Sequence, residues 1–466
     1  MPFLLSATRS PFVPADDAFG RWHPVDLAAH IANEALNRAE LTAGRIDEIW
    51  VGCEEPVGAQ GADMARAIVL SAGWPDHIGG TVLDRGESSG TAALHAAAAA
   101  IESGQSETTM VLGVHSASTV TPGASALGRH YGRPWGDGPA ARVADEGGLL
   151  PAPRQAEAAA TAVGIDRAAQ DAWAGRSHER RSAASLPIAV VPTAARPSAG
   201  TAVQRGTAIT SDTLRVMPIH LADLPPMFDR SGTVTGASIA PPADGLTAII
   251  LSRDAGGGTG RLVGTARAAG HPRDPIGGLA VAVAAALRDA DLTPDAIATW
   301  HLAERTAAGA LLACRCLTSF GVDPDRINPR GGSLAVGNAG AADDLRLSVD
   351  GISDSMPGDT VAAVSYGMTG AAVSVWTRQW AAVVNVFNVL VAIGAAYVMI
   401  RIGLSMLRGL ATPIPEPPPA GELRKVKIGF RCTICGTEVR MTISPDQDPA
   451  PPRHCLEDMD LVAPIE

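Results

Sequence analysis

The chain has 466 residues and a formal net charge of −11, room for two or three domains and a large core. The acidic balance excludes a general nucleic-acid binder, which needs a basic face. Six cysteines in this length do not make a disulfide framework, and the opening M-P-F-L-L-S-A-T-R lacks the apolar core of a secretory signal, which predicts a cytoplasmic start.

In chain order, apolar positions at helical spacing predict a helix over residues 26–40. Arg45 to Cys53 reads as a buried strand, 62–72 as a helix ended by Gly73 and Pro75, and Gly80 to Leu83 as a strand. The turn D-R-G-E-S-S-G, Asp84 to Gly90, leads into an Ala-rich helix to Glu102, followed by a strand over Thr109–Val114. This alternation predicts an α/β domain with a largely parallel sheet. From about 116 to 242 the pattern loosens and is rich in Pro, Gly and Arg, with one clear helix from Asp166 to about Ala184. That stretch reads as an inserted subdomain covering a site. A strand over Leu246–Ser252 closes a first half spanning 1–254.

The second half, 261–379, repeats the plan. A strand (R-L-V-G-T-A-R-A) precedes a helix from Gly278, a strand ending in H-L-A-E and a helix over Thr306–Phe320. A glycine-rich turn (Gly331–Gly340) then precedes another helix, and Thr360–Gly367 with Ala371–Trp376 reads as a closing hairpin. The halves read as an internal duplication.

The Asp84–Gly90 turn sets one side chain at a helix N-terminus, where unpaired N–H groups and the helix dipole favour an anion. An acyl-transfer enzyme would place a thiolate there; this chain places Glu87. Cys53, Cys314 and Cys316 lie among apolar neighbours and read as inert core thiols.

Several ordered segments resemble the thiolases (acetyl-CoA acetyltransferases): T-R-S-P-F; S-S-G-T-A-A-L-H-A-A-A-A-A-I-E-S-G; G-I-D-R-A-A-Q-D-A-W-A-G-R-S-H-E-R; F-D-R-S-G-T-V-T-G-A-S; A-D-G-L-T-A; and N-P-R-G-G-S-L-A-V-G. The resemblance covers about residues 5–378. It implies a five-layer αβαβα fold duplicated around an inserted loop domain at about 116–242. It also implies a homo-oligomer and a coenzyme A site under the insertion, with no redox cofactor. The family's chemistry needs a nucleophilic cysteine at the helix N-terminus, a histidine in G-H-P, a second cysteine in C-x-G-G-G and an asparagine in N-E-A-F. In this sequence those positions fall on Glu87, Asn338, Ser365 and Ala303, with Glu304 keeping the adjacent glutamate. All four catalytic positions are substituted.

A carboxylate is a weaker nucleophile toward thioesters than a thiolate, and no histidine stands at the family position to activate it. Asn338 cannot shuttle a proton at pH 7, and a serine needs a base beside it. Losing members of a unit that acts together is grossly non-additive. Three roles stand open for Glu87: an anion left after catalysis was lost, a ligand grip shared with Asn338, or a base in another reaction. His115, His178 and His301 are candidate replacement bases, with structural roles as the alternative.

After Trp376 the composition changes. Trp380 to Ile400 has no charged residue over 21 positions, about 31 Å as a helix, enough for one membrane span; an apolar helix is expected over 380–410. Residues 411–423 form a Pro-rich linker. Residues 424–466 carry Cys432-x-x-Cys435 with His454 and Cys455, a candidate tetrahedral zinc site. This tail resembles small actinobacterial proteins with one membrane helix and a zinc-ribbon-like domain. Arg401, Arg408, Arg424, Lys425 and Lys427 follow the apolar run, which puts that side in the cytoplasm. One span cannot keep both flanks there, so either the helix lies in the interface or re-enters, or the chain joins two adjacent genes.

The expected function is a thiolase-superfamily protein of lipid metabolism that binds CoA or an acyl-CoA without ordinary thiolase turnover. It is expected to be cytoplasmic and membrane-associated through its tail. The alternatives are an active acyltransferase using the altered residues, or an oligomeric scaffold, so enzyme status stays open.

Overall fold

A computed structural model describes residues 1–127, 136–182, 188, 191–192, 208–215, 217, 220–379, 386–410 and 423–462. They form two compact units, Met1–Val383 and Val384–Glu466.

The first unit opens with β1 (Phe3–Arg9), β2 (Val13–Pro14), α1 (Pro24–Arg38), β3 (Glu48–Gly52), α2 (Met64–Ser71), β4 (Gly79–Leu83), α3 (Ser89–Glu102) and β5 (Thr108–Ser116). The insertion carries α4 (Ala124–Leu127), α5 (Asp137–Arg142), α6 (Ala152–Ala162), α7 (Arg167–Ser182), β6 (Val191–Pro192) and β7 (Ala208–Ile209), and β8 (Ala243–Ser252) follows. The second half is β9 (Gly260–Ala268), α8 (Leu279–Ala290), β10 (Thr299–Leu302), α9 (Ala307–Ser319), α10 (Ser333–Val336), α11 (Gly340–Asp354), β11 (Thr360–Gly367) and β12 (Gly370–Arg378).

The strands run in the order β10-β11-β12-β9-β1-β8-β5-β3-β4, with β2 against β8. Within this sheet β3 is parallel to β4 and β5, and β10 to β11, while the other pairings are antiparallel. The expected largely parallel sheet is therefore mixed. A tight hairpin joins β11 to β12 and makes that pair antiparallel. The halves meet where Phe3 and Leu4 pair with Arg261 and Gly260.

Five layers follow from the buried clusters. Leu27, Ile31 and Leu36 of α1 and Ile68 of α2 cover one outer face. Val283 and Leu287 of α8 with Leu317 of α9 cover the other. Between the halves, Leu94 and Ile101 of α3 meet Leu345 and Val349 of α11. Gly90 permits that approach, because a Cβ there would strike the Ala341 carbonyl oxygen. Burial of these apolar faces drives assembly.

A network of three arginines and three aspartates pins the insertion to this core. Arg9 of β1 meets Asp212 at 2.6 Å, and Arg181 of α7 meets both Asp212 and Asp350 at 2.7 Å. Arg346 of α11 joins Asp350 at 2.6 Å and Asp343 at 2.8 Å. Although burial opposes charge, Arg9 and Arg181 hold Asp212 well below the ordinary carboxylate range, and Arg181 and Arg346 do the same for Asp350.

Among the elements that the sequence pattern does not announce, two bear on the site. The helix α6 lies in a stretch read as loose, although P-A-P-R-Q-A-E-A-A-A-T-A begins with proline in its first turn and continues with strong helix formers. The short α10 sits inside the turn expected over Gly331–Gly340.

In the second unit α12 (Val386–Leu410) runs on through Arg401 and Arg408; residues 380–385 of the helix expected over 380–410 lie outside the described residues, as do 411–422 of the linker. Among the described residues no helix is long and apolar enough to cross a membrane. The rest is β13 (Arg424–Arg431), β14 (Glu438–Ser444), β15 (Arg453–His454), β16 (Glu457–Asp458) and β17 (Asp460–Val462), with a sheet of order β14-β13-β17 over a small core of Phe430, Cys432 and Met459.

Candidate active site

In sheets with parallel strands, ligands bind outside the carboxyl ends of those strands. Here those ends carry charge. Glu54 follows β3, Glu87 follows β4, His115 lies at the end of β5, Arg305 follows β10, and Ser365 lies near the end of β11.

Glu87 sits just before the N-cap of α3, Ser88. Its carboxylate accepts a hydrogen bond from Thr369 Oγ1 at 3.0 Å, and its backbone carbonyl accepts one from Arg305 Nη2 at 2.6 Å. The carboxyl group lies over Gly367, whose Cβ, if present, would fall 2.6 Å from Glu87 Cδ. The carboxylate on the α3 N-terminus is not Glu87 but Asp344 of α11. Its Oδ2 accepts from the Thr91 N–H at 2.5 Å, and its Oδ1 from Thr91 Oγ1 at 2.6 Å. This corrects the expectation for Glu87. A side chain one place before the N-cap points off the helix axis, while a residue of the neighbouring helix faces the free N–H groups of the first turn.

Two further residues complete the cluster and were not foreseen. Glu54 lies with Oε2 3.9 Å from Arg305 Nη2, its side chain 16 % exposed. Burial pushes its pKa up to about 7, with Arg305 opposing and Glu87 adding to the rise. Arg305 also donates to the Tyr366 carbonyl at 3.1 Å, while its buried Nε has no partner among the described residues. Burial would lower the pKa of Arg305, but Glu54 and Glu87 outweigh it and hold the guanidinium charged. A charged pair placed straight after a buried strand, C-E-E-P, was the available signal for Glu54; nothing in the sequence marks Arg305 beyond its place beside Glu304.

The other predicted positions surround this cluster. Asn338 Oδ1 accepts from the Gly340 N–H at 3.0 Å, and a Cβ on Gly340 would lie 2.7 Å from Glu54 Oε1 and 3.1 Å from His115 Cγ. Ser365 donates to Ser88 at 2.9 Å. Ala303 offers its carbonyl to the Tyr366 hydroxyl at 2.6 Å. Glu304 points away. Trp173, Ser177 and Asn328 hold its carboxylate at 3.0, 2.5 and 2.7 Å, tying α7 to the second half.

Of the three histidines, His115 joins the site. It is 1 % exposed, burial lowers its pKa to about 4, and its Nδ1 has no partner among the described residues. His178 bonds the Arg215 carbonyl and His301 bonds Thr299, which are structural roles. Burial pushes the Cys53 thiol up to about 12 and raises Cys314 and Cys316 as well, so these core thiols stay protonated and unreactive near pH 7. A narrow cleft of about 30 Å³ lies beside Glu87, lined by Gln155 and Ala156 of α6, Arg305, Tyr366 and Met368.

In the second unit the ligand atoms of Cys432, Cys435, His454 and Cys455 lie within 4.8 Å of one another. The turn between β13 and β14 is closed by the Gly436 N–H donating to the Cys432 carbonyl at 2.9 Å. Cys455 has φ 49°. That left-handed backbone lets consecutive residues face one point, with His454 Nδ1 3.2 Å from Cys435 Sγ and 3.3 Å from Cys455 Sγ. Three sulfurs and one imidazole in this compass fit a tetrahedral zinc ion.

The layered fold and the strand-end site define a thiolase-type protein. The description "Thiolase, N-terminal domain" matches residues 3–255, and the chain belongs to the thiolase family. A "3-ketoacyl-CoA thiolase" of Vibrio vulnificus is 30 % identical, covering 71 % of this chain and 86 % of its own length. A "Beta-ketoadipyl-CoA thiolase" of Pseudomonas aeruginosa is 30 % identical over 72 % and 88 %. Among solved structures, the Ascaris suum Acat5 thiolase in complex with coenzyme A superposes with TM-score 0.68 at 23 % identity, covering 81 % of this chain and all of that one.

Proposed function

We propose that this thiolase-family protein binds CoA or an acyl-CoA at the parallel-strand ends and does not perform thiol-dependent acyl transfer. The observation that carries this is the state of Glu87: its carboxylate is tied to Thr369 and packed on Gly367, where the family's reaction requires a free thiolate. The thiols of the first unit are held protonated by burial, so none replaces it. Relatives with thiolase names and a structural neighbour holding coenzyme A support the ligand class. The same proposal extends to a role in lipid metabolism, a homo-oligomeric state and a cytoplasmic location.

Calorimetric titration of CoA into the full chain, with thiolysis of acetoacetyl-CoA followed on the same sample, tests this. Binding without thiolysis is expected. Thiolysis abolished by Glu87→Ala would instead establish an acyltransferase using altered residues.

For the tail, we infer one structural zinc ion per chain, held by Cys432, Cys435, His454 and Cys455. It would supply cross-linking of β13, β14 and β15 rather than chemistry, because four protein ligands leave no open position. Metal analysis should find one zinc per chain, lost in Cys432→Ser/Cys435→Ser. The apolar residues Ile393, Val398, Ile400, Ile402 and Leu407 of α12 are exposed, and this supports association of α12 with a membrane interface. Flotation of the full chain with phospholipid vesicles, abolished by Ile393→Glu/Ile400→Glu, is the expected result.

A further inference from the structure

Glu54, Arg305 and His115 occupy none of the four positions that the family's thiol chemistry uses, yet they meet at the strand ends. We propose that Glu54 is a general base that moves a proton at the carbon next to the thioester carbonyl of a bound acyl-CoA. This rests on the acyl-CoA reading above and adds an activity that needs no thiol.

Three observations carry it. First, Glu54 is reachable and loosely held. It follows the carboxyl end of β3, its side chain is 16 % exposed, and its ion pair with Arg305 spans 3.9 Å. Glu87 by contrast is fixed by Thr369 and Gly367. Second, space is kept for the Glu54 carboxylate: Gly340 opens α11, and any Cβ there would lie 2.7 Å from Oε1. Third, His115 abuts the same glycine, is 1 % exposed, and leaves Nδ1 without a partner among the described residues. A buried polar nitrogen left unpaired is costly, and a ligand group that bonded it would remove that cost.

The electrostatics agree. Glu54 is faced by Glu55 on its own segment, Arg305 from the loop after β10, Glu87 from the turn before α3, Asp344 from α11 and His115 from β5. Arg305 is the one cation among these groups, so the carboxylates are under-compensated. Burial together with this imbalance brings Glu54 to about 7, where a base is both available and strong enough near neutral pH.

The step balances without a co-reactant. The Glu54 carboxylate takes a proton from Cα. The C–H electron pair forms a Cα–C double bond, and the carbonyl π pair moves onto the thioester oxygen. Asn338 uses Oδ1 on the Gly340 N–H, which leaves its Nδ2 as a donor for that oxyanion. The Glu54 carboxylic acid then returns the proton to Cα. In heavy water the net result is replacement of hydrogen by deuterium at Cα.

The test uses the full chain with acetyl-CoA in D2O, following loss of the methyl proton signal by NMR and deuterium gain by mass spectrometry, with acetyl-CoA binding measured by calorimetry. Exchange well above the protein-free rate is expected, half-maximal near pH 7. Glu54→Gln should slow it by about 100-fold or more while binding stays within about threefold, and Glu54→Asp should recover exchange with a shifted pH midpoint. Exchange in Glu54→Gln equal to that of the parent would overturn the assignment, as would bound acetyl-CoA that never exchanges. Absence of acetyl-CoA binding would instead sink the acyl-CoA reading beneath it.

Discussion

The first unit contains two buried clusters of charge, and they are built on opposite principles. Arg9, Arg181 and Arg346 face Asp212, Asp343 and Asp350 with ion pairs of 2.6 to 2.8 Å, and those charges balance. At the strand ends, Arg305 faces Glu54, Glu87 and Asp344, and the charges do not balance. In the first cluster Asp212 and Asp350 are held ionised far below the ordinary range. In the second, Glu54 rises to about 7. Balanced buried charges fix geometry, here the docking of the insertion. Unbalanced ones keep a group ready to change protonation, as active sites do.

The largest expected effect breaks the balanced cluster. Arg181→Ala leaves Asp212 and Asp350 each short of a partner, and should cost about 3–5 kcal/mol in chemical unfolding of the first unit.

Next in size is the opposite response to pH. Glu54 has a folded pKa of about 7 against 4.5 for the free group. The folded state therefore binds more protons between those values, and this stabilisation is full below pH 4.5 and lost as pH rises through 7. Asp212 and Asp350 are depressed, so their contribution is present above the unfolded pKa and lost as pH falls. Glu54→Gln should therefore raise stability by about 3 kcal/mol at pH 8 and by almost nothing at pH 4.5. Urea titrations at the two pH values check this, and equal shifts at both would show the second cluster to be balanced after all.

Gly367→Ala should cost about 1–3 kcal/mol, because its Cβ would fall 2.6 Å from Glu87 Cδ. In a Glu87→Ala background most of that cost should vanish, and the coupling is read from a double-mutant cycle. Smallest is Thr369→Val, which removes the hydroxyl bonded to Glu87 Oε2 and the Arg85 carbonyl and should cost about 1–2 kcal/mol in the same unfolding measurement.

Much of the architecture was legible in the residues. The hydrophobic pattern located β3, β4, α3, β5, β8 and the β11–β12 hairpin, because strands such as β5, β8 and β11, buried along their whole length, read as near-continuous apolar runs bounded by turn residues. Within the insertion α6 is hidden from the apolar pattern because two of the four residues it buries, Gln155 and Glu157, are polar. The family positions were legible too, and Cys432, Cys435, His454 and Cys455 were found as a quartet. Adjacent His454 and Cys455 face one point because Cys455 takes a left-handed backbone, which residue order does not state.

The sequence by itself determined the alternation of strands and helices and the duplicated plan, because periodicity is a property of neighbouring residues; the five layers and the substituted positions Glu87, Asn338, Ser365 and Ala303 are what the resemblance to the thiolases implies. Only the tertiary structure decided which charges share a site. Glu54, Arg305, His115 and Asp344 stand on four different elements, and a charge on a loop reads as solvated until the fold buries it. The structure also decided that Asp344, not Glu87, takes the N-terminus of α3, since that choice depends on how α11 packs against α3 across Gly90. Proton affinity follows from burial and from the company of other charges, and both are set by packing between segments far apart in the chain.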